Sequence, residues 1–175
     1  IHLNTLLHYL HKQLLEDHSE GIICLSGCVS SEFNQAILKG YGDIPDLEKA
    51  IEASKWFESI FGDRYFIEVM NNGIEIQRMA LEGAVAAAKQ IGTPVVATSD
   101  CHYVDPQDAE AQDVMLCINT GRFRTDTSRM KMDGSEYYLK NAEEMYQAFP
   151  GMEDAVARTQ EIANSVDIDL ELGNR

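Results

Sequence analysis

Residues 64–103 have the sequence RYFIEVMNNGIEIQRMALEGAVAAAKQIGTPVVATSDCHY and contain the pattern from which the fold class can be predicted. Residues 64–70 and 94–99 are rich in branched and aromatic side chains, as buried strands are. Between them, residues 74–91 form an alanine-rich segment with helical periodicity that ends at Gly92 and Pro94. A strand, a helix and a second strand in this order predict two parallel strands joined by a crossover helix, and therefore an α/β fold.

The alternation of strands and helices continues on both sides of this stretch. The further predicted elements are a helix over Leu3–Leu15, a strand over 21–27, helices over Ser31–Leu38, Leu47–Phe61 and Ala109–Ile118, a short strand over Tyr137–Leu139, helices over Ala142–Phe149 and Glu153–Val166, and an extended segment over 167–172. Three clear strands and a short fourth are too few for a closed parallel barrel, which needs about eight. The sheet is therefore open, or it belongs to a larger fold.

The chain is strongly acidic. Its 175 residues include 14 Lys and Arg against 29 Asp and Glu, a formal net charge of −15. Because nucleic acids are bound largely through basic side chains on phosphates, this charge excludes a strong sequence-independent nucleic-acid binder. Four cations lie close together in the sequence, and we interpret them as solvated loop residues, with a local contact as the alternative: Arg122, Arg124, Arg129 and Lys131.

The composition favours a folded protein of a reducing compartment. The chain is 45% hydrophobic with 4 prolines, which allows a sizeable core. Its apolar stretches are too short to cross a membrane, and its 4 cysteines are too few for a disulfide framework. We therefore expect a cytosolic protein. Neither a glycine-rich nucleotide-binding motif nor a serine-hydrolase motif occurs in the sequence.

The segment Ser99-Asp100-Cys101-His102 follows the predicted strand over 94–99. The carboxyl ends of parallel strands are where α/β proteins bind ligands. If the extended backbone continues, Asp100 and His102 point to the same face, with their backbones about 6–7 Å apart. A carboxylate and an imidazole in this arrangement suit a divalent metal.

Two further residues are candidates for the same chemistry. Cys28 follows the predicted strand over 21–27 and is either a soft metal ligand or a small buried apolar side chain. Glu68 lies within the predicted strand over 64–70, where a buried carboxylate must be paired, coordinated or neutralised. Partial exposure of Glu68 is the simpler interpretation.

Five strings in order carry a family resemblance: HSEGIICLSGC at 18–28, FGDRYFIE at 61–68, PVVATSDCHY at 94–103, DAEAQD at 108–113 and LCI at 116–118. In amino-acid sequence, order and spacing they resemble the PHP (polymerase and histidinol phosphatase) domain of the catalytic α subunit of bacterial DNA polymerase III. The resemblance covers residues 12–172, as the C-terminal part of that domain. Residues 1–11 are left as an unassigned leader or junction, and residues 173–175 as the start of a linker.

The resemblance implies a partial distorted (β/α)7 barrel followed by C-terminal helices. It implies a group of divalent metal ions at the strand ends, zinc first, with manganese or magnesium as alternatives. Cys28, Asp100 and His102 match ligand positions, whereas Glu68 matches none and is a candidate neighbour of the ligands. The thiol and the Asp100–His102 couple are expected to face a common hollow. Since the His-x-His motif of the family's first half is absent, metal binding by this chain alone is expected to be weak or absent.

The resemblance also implies a function and partners. The parent protein would be a DNA-directed DNA polymerase, and this part alone would be inactive because the polymerase carboxylates are missing. Its ancestry would be metal-assisted phosphoester hydrolysis or 3′–5′ exonuclease activity. The implied partners are the remainder of the α subunit, the proofreading exonuclease subunit and, through the parent protein, DNA. A free-standing PHP phosphoesterase and a metal-free structural or interaction module remain as alternatives.

Overall fold

The computed structural model describes residues 12–39, 46–169 and 173. The described residues divide into two compact units: unit 1 consists of residues 12–39, 46–68 and 79–94, and unit 2 of residues 69–78, 95–169 and 173. The predicted helix over Leu3–Leu15 lies mostly outside the described residues. The part that is described is helical, and this helix continues to residue 17. The predicted extended segment over 167–172 lies partly outside them.

Three strands form one sheet: β1 (Cys24–Leu25), β2 (Tyr65–Met70) and β3 (Val95–Thr98), in the order β1–β2–β3. β1 pairs with β2 in parallel, with Cys24 opposite Tyr65. Side chains of β2 alternate between buried and half-buried, so Tyr65, Ile67 and Val69 face the core. The predicted α/β class is therefore confirmed.

The first strand is much shorter than predicted. β1 contains 2 residues, where the sequence predicted a strand over 21–27. Gly21 and Gly27 have φ angles of 71° and 84°, in a region that glycine adopts without steric cost but that an extended strand does not contain. These two glycines therefore flank the strand and limit its length.

In unit 1, the helices begin and end where local signals predicted. α1 (Glu32–Leu38) begins after Ser31, whose Oγ accepts a hydrogen bond from the Asn34 N–H at 3.1 Å. α2 (Leu47–Phe61) begins after Asp46 and ends at Gly62. α3 (Glu75–Ile91) is the crossover helix, and its residues from 79 onward belong to unit 1. The core of unit 1 includes Phe33, Ile37, Ala50, Ala53, Phe61, Tyr65, Ile67, Ala84, Ala87 and Ala88.

Unit 2 contains α4 (Ala109–Thr120), α5 (Ala142–Ala148) and α6 (Glu153–Ser165). The predicted capping box of α5 is confirmed: Asn141 Oδ1 accepts from the Glu144 N–H at 3.0 Å, and Glu144 Oε2 accepts from the Asn141 N–H at 2.8 Å. α6 packs on β3, and its Arg158 donates to the Val95 carbonyl at 2.6 Å.

The predicted strand over Tyr137–Leu139 is wrong. The structure shows a single isolated parallel bridge between Tyr103 and Tyr138. One bridge does not extend into a ladder, because Leu139 already donates its N–H to the Val104 carbonyl at 3.2 Å and Asn141 then begins α5.

The interpretation of the cation cluster as solvated is wrong for one of its members, Arg129, whereas the Arg124 side chain is 52% exposed, as that interpretation expects. Arg129 donates to both carboxylate oxygens of Asp113 at 2.5 and 2.9 Å, and its side chain is 11% exposed. Arg124 donates to Glu110 at 2.7 Å. Both acidic residues lie on α4, so these ion pairs attach the segment after α4 to that helix.

None of the helices in the described part of the chain has the length and apolar character needed to span a membrane.

Candidate metal centre

Asp100 and His102 form a close pair just beyond β3. The Nε2 atom of His102 lies 3.2 Å from Oδ1 of Asp100. The His102 side chain is 42% exposed and that of Asp100 is 25% exposed, so the pair faces solvent at one side. The sequence therefore identified two side chains that the structure brings together.

The backbone between them differs from the extended geometry that the sequence analysis assumed. β3 ends at Thr98, and Asp100 has a φ of 47°. A non-glycine residue in the left-handed region is uncommon, and such residues cluster at functional sites. Asp100 and His102 therefore converge because the chain turns after the strand, and not because they share one face of it.

Asp100 has a second, buried partner. Gln77, in the first turn of α3, donates from Nε2 to Oδ2 of Asp100 at 3.3 Å. Its Oε1 accepts a hydrogen bond from the backbone N–H of Asn72 at 2.7 Å. Gln77 and Asn72 are each 2% exposed. Both ends of the Gln77 amide are therefore used, and they connect Asp100 to the end of β2.

His102 is held through its backbone and its ring. Its N–H donates to the Tyr137 carbonyl at 2.8 Å. The two rings meet edge to face, with centroids 5.5 Å apart and an interplanar angle of 89°. Burial raises the pKa of the Tyr137 phenol. Tyr137 thus contacts His102 through both its carbonyl group and its ring.

A buried lysine extends this network. The Lys140 side chain is 6% exposed, and its Nζ lies 3.4 Å from Oδ1 of Asn72 and 4.5 Å from the centre of the Tyr138 ring. It also donates to the Glu136 carbonyl. Burial lowers the pKa of Lys140. The Nδ2 atom of Asn72 is buried without a hydrogen-bond partner. A chain of contacts therefore leads from Lys140 through Asn72 and Gln77 to Asp100.

The donor pair fits a divalent metal ion. Two ligands at about 2.1 Å from one ion, at angles of about 90–110°, lie about 3.0–3.4 Å apart. The separation of 3.2 Å between Asp100 Oδ1 and His102 Nε2 falls in that range. An imidazole nitrogen and a carboxylate oxygen are also ligands that zinc and manganese accept. Within the part of the chain that the structure describes, no group of three or more His, Cys, Asp and Glu side chains could hold a metal.

Cys28 lies in unit 1, in the loop between β1 and α1, and is half-buried. The buried Asn34 fixes this loop by donating from Nδ2 to the carbonyls of Gly27 and Cys28 at 2.9 and 3.1 Å. A Cβ atom on Gly27 would lie 3.1 Å from Cβ of Ser31, so the loop also approaches α1 closely. Cys28 as a ligand stays a prediction, as does the common hollow.

Glu68 is half-buried on β2, with Phe66 and Met70 on the same face of the strand. Its backbone N–H donates to Oγ of Ser26 at 2.9 Å. This partial exposure agrees with the simpler interpretation of Glu68. Its place beside metal ligands stays a prediction.

Three residues of this network were not predicted from the sequence: Gln77, Asn72 and Lys140. Gln77 does have a detectable signal, because it lies in helical register with the buried residues Ala80 and Ala84. A polar residue within a buried stripe requires a hydrogen-bond partner, and here that partner is Asp100. For Lys140 the sequence contains no comparable signal.

One family model matches part of the chain. Residues 2–72, fewer than half of the 175 residues, match the family described as the PHP domain. The predicted resemblance to that family is therefore confirmed.

Its relatives specify the branch of that family. The chain is 35% identical over 176 residues to DNA polymerase III subunit alpha of Campylobacter jejuni. This alignment covers 94% of this chain and 14% of that protein. The same protein of Borreliella burgdorferi is 35% identical over 158 residues, covering 90% of this chain and 13% of the relative. The same protein of Mycobacterium tuberculosis is 38% identical over 135 residues, and this alignment covers 77% of this chain and 11% of the relative. The predicted resemblance to the PHP segment of these subunits is confirmed, and the chain spans 14% or less of the relatives' length.

Proposed function

We propose that this chain forms part of a barrel-type PHP domain in a replicative DNA polymerase III α subunit, where Asp100 and His102 ligate a divalent metal ion. The observation that carries the proposal is the 3.2 Å separation of the carboxylate oxygen and the imidazole nitrogen just beyond β3. Zinc is the first candidate, and manganese or magnesium are alternatives.

A divalent ion held by Asp100 and His102 would supply the Lewis acidity that phosphoester hydrolysis requires. Asp100 and His102 hold the ion in this proposal, and they do not attack the substrate. Gln77 and Tyr137 orient the two ligands. The whole protein would be a DNA-directed DNA polymerase, with the polymerising site in another part of the polypeptide and this chain inactive by itself.

Two donors are fewer than a stable site needs, so further ligands are required. We assign Cys28 as one of them, with Glu68 as its candidate neighbour. The support for Cys28 is its match to a family ligand position and the loop that Asn34 fixes around it. The remaining ligands would come from the part of the barrel that precedes this chain in the family.

The proposed partners follow from the relatives. Each relative is named as the alpha subunit of DNA polymerase III, so an assembly of several subunits is the expected setting. We propose that the chain works with the remainder of that subunit, with a proofreading exonuclease subunit and, through the whole protein, with DNA in the cytoplasm.

A metal-free structural module is the second candidate, and one observation favours it. Both carboxylate oxygens of Asp100 already have partners in the chain, namely Gln77 and His102. A carboxylate with a hydrogen-bond partner on each oxygen does not require an ion to be satisfied. In that case the pair would serve only to fix the segment that follows β3.

Metal analysis of the intact protein separates the two functions. The full-length polypeptide that contains this chain is purified without chelators, and its zinc, manganese and magnesium contents are measured by mass spectrometry. The variants are Asp100→Asn, His102→Ala and Cys28→Ser. His18→Ala is the matched control, because His18 lies in an exposed turn.

The metal-centre proposal expects metal in the wild type and in the control, and reduced metal in each ligand variant. Hydrolysis of a chromogenic phosphodiester should fall in parallel. A metal-free wild type, or variants that retain the full metal content, would contradict the metal centre. A metal-free wild type whose folding depends on Asp100 would support the structural module.

A further inference from the structure

We propose that Gln77 is a positioning residue that selects which oxygen of Asp100 is presented to the metal ion. This inference rests on the proposed metal centre. It concerns a residue that contacts neither substrate nor metal and that acts through Asp100.

The orientation of the Gln77 amide follows from its buried partner. A backbone N–H can only donate a hydrogen bond, so the atom of Gln77 that faces the Asn72 N–H at 2.7 Å must be the oxygen. The NH2 group must then face the other way, toward Oδ2 of Asp100 at 3.3 Å. The reversed amide would put a donor against a donor at the first contact and an acceptor against an acceptor at the second.

This fixed donor distinguishes the two oxygens of Asp100. Oδ2 accepts from Gln77, whereas Oδ1 lies 3.2 Å from Nε2 of His102. Oδ1 is thus the oxygen beside the second metal ligand. Gln77 thereby favours binding of the ion through one oxygen and disfavours rotation of the carboxylate to a two-oxygen mode.

The surroundings explain why such a residue is needed. Asp100 lies beyond the end of β3 with a left-handed backbone, and its side chain is 25% exposed. Gln77, by contrast, is 2% exposed and lies in the first turn of α3, where its N–H donates to the Ile74 carbonyl at 3.1 Å. Gln77 is therefore held by the helix, whereas Asp100 lies in the turn after β3. Hydrogen bonds to metal ligands of this kind typically contribute about 10–100-fold to metal affinity.

The test uses the full-length protein with two variants of similar size and charge change. Gln77→Met removes both polar ends of the side chain at nearly constant volume. Gln147→Met is the matched control, because Gln147 is exposed on α5. Zinc affinity is measured by competition with a chromophoric chelator, and the visible absorption spectrum is recorded after loading with Co²⁺.

The positioning role predicts that Gln77→Met weakens zinc binding by about 10–100-fold, while Gln147→Met leaves it unchanged. It also predicts a changed Co²⁺ spectrum for Gln77→Met, because a two-oxygen mode of Asp100 raises the coordination number. A merely structural role would lower the fraction of folded protein but leave the spectrum of the loaded molecules as in the wild type.

A double-mutant cycle gives a second, independent readout. If Gln77 acts through Asp100, then Gln77→Met has no further effect on zinc affinity or on the Co²⁺ spectrum in an Asp100→Ala background. Equal effects in both backgrounds would overturn the inference. If the wild type binds zinc and Gln77→Met has the same zinc affinity and Co²⁺ spectrum, the positioning role of Gln77 is overturned and the metal centre stands. If the wild type binds no metal, both the positioning role and the proposed metal centre are overturned.

Discussion

Gly83 lies in the middle of α3, where helix propensity alone favours alanine by about 1 kcal/mol. Packing opposes this gain. A Cβ atom at position 83 would collide with Cγ2 of Ile37 and lie 3.4 Å from both Cβ and Cδ1 of the same side chain. Ile37 is on α1 and is 3% exposed, so it cannot move into solvent. Overpacking of this kind costs about 1–3 kcal/mol.

The net expectation for Gly83→Ala is a destabilisation of up to about 2 kcal/mol. Chemical denaturation in urea measures it, with Trp56 as the probe. Trp56 is the single tryptophan of the sequence and lies in α2, in the same unit as Gly83 and Ile37. At a slope of about 2 kcal/mol per molar urea, the midpoint should fall by up to about 1 M.

A second substitution separates the packing cost from helix propensity. Ile37→Ala removes the colliding methyl group and by itself costs about 2–5 kcal/mol. In that background, Gly83→Ala should stabilise the protein by about 1 kcal/mol, because only the propensity gain remains. If Gly83→Ala raises the midpoint equally with Ile37 present and absent, the close approach of α1 and α3 does not exist.

Three further outcomes are expected from single sites. Burial raises the pKa of Cys24 from 9.0 to about 11, so at pH 8 the thiolate form is about 100-fold scarcer than it would be at the ordinary pKa. Ellman's reagent should therefore modify Cys24 at least 100-fold more slowly in the folded chain than in the urea-unfolded chain. Equal rates would contradict the burial of Cys24. The hydrogen bond from Arg129 lowers the pKa of Asp113 from 3.8. The pair therefore stabilises the fold above pH 3.8, and the stabilisation is lost as the pH falls through the lower folded-state pKa. The melting temperature of Arg129→Met should lie below that of the wild type at neutral pH and approach it in acid, and a constant difference would refute the pairing. Asn141→Ala removes the side-chain cap of α5 and should cost about 1 kcal/mol in thermal unfolding, whereas Gln147→Ala on the exposed face of the same helix should change stability little.

Sequence signals were sufficient for the helix limits that neighbouring residues determine. The limits of α2 followed from Asp46 and Gly62, and the capping box of Asn141 from the glutamate three positions later. Such contacts lie within one turn of helix, so the sequence displays both partners together.

Features that depend on distant residues were not predictable in the same way. The Tyr137–Leu139 segment has strand-like side chains, but only Tyr138 finds a bridge partner. Asp100 and His102 were expected to meet through extended geometry, whereas they meet through a turn with a positive φ at Asp100. The partnership of Gln77 with Asp100 spans 23 positions of the sequence, and no local pattern specifies it.

The most direct test of the account is to locate the metal. Crystals of the full-length protein grown with zinc would be measured at the zinc absorption edge, and an anomalous difference map would be calculated. The metal centre predicts a peak about 2.0–2.2 Å from Nε2 of His102 and from Oδ1 of Asp100, with Oδ2 still bound to Gln77. A map in which zinc lies away from both side chains, or in which no zinc is present while His102 remains hydrogen-bonded to Asp100, would contradict it.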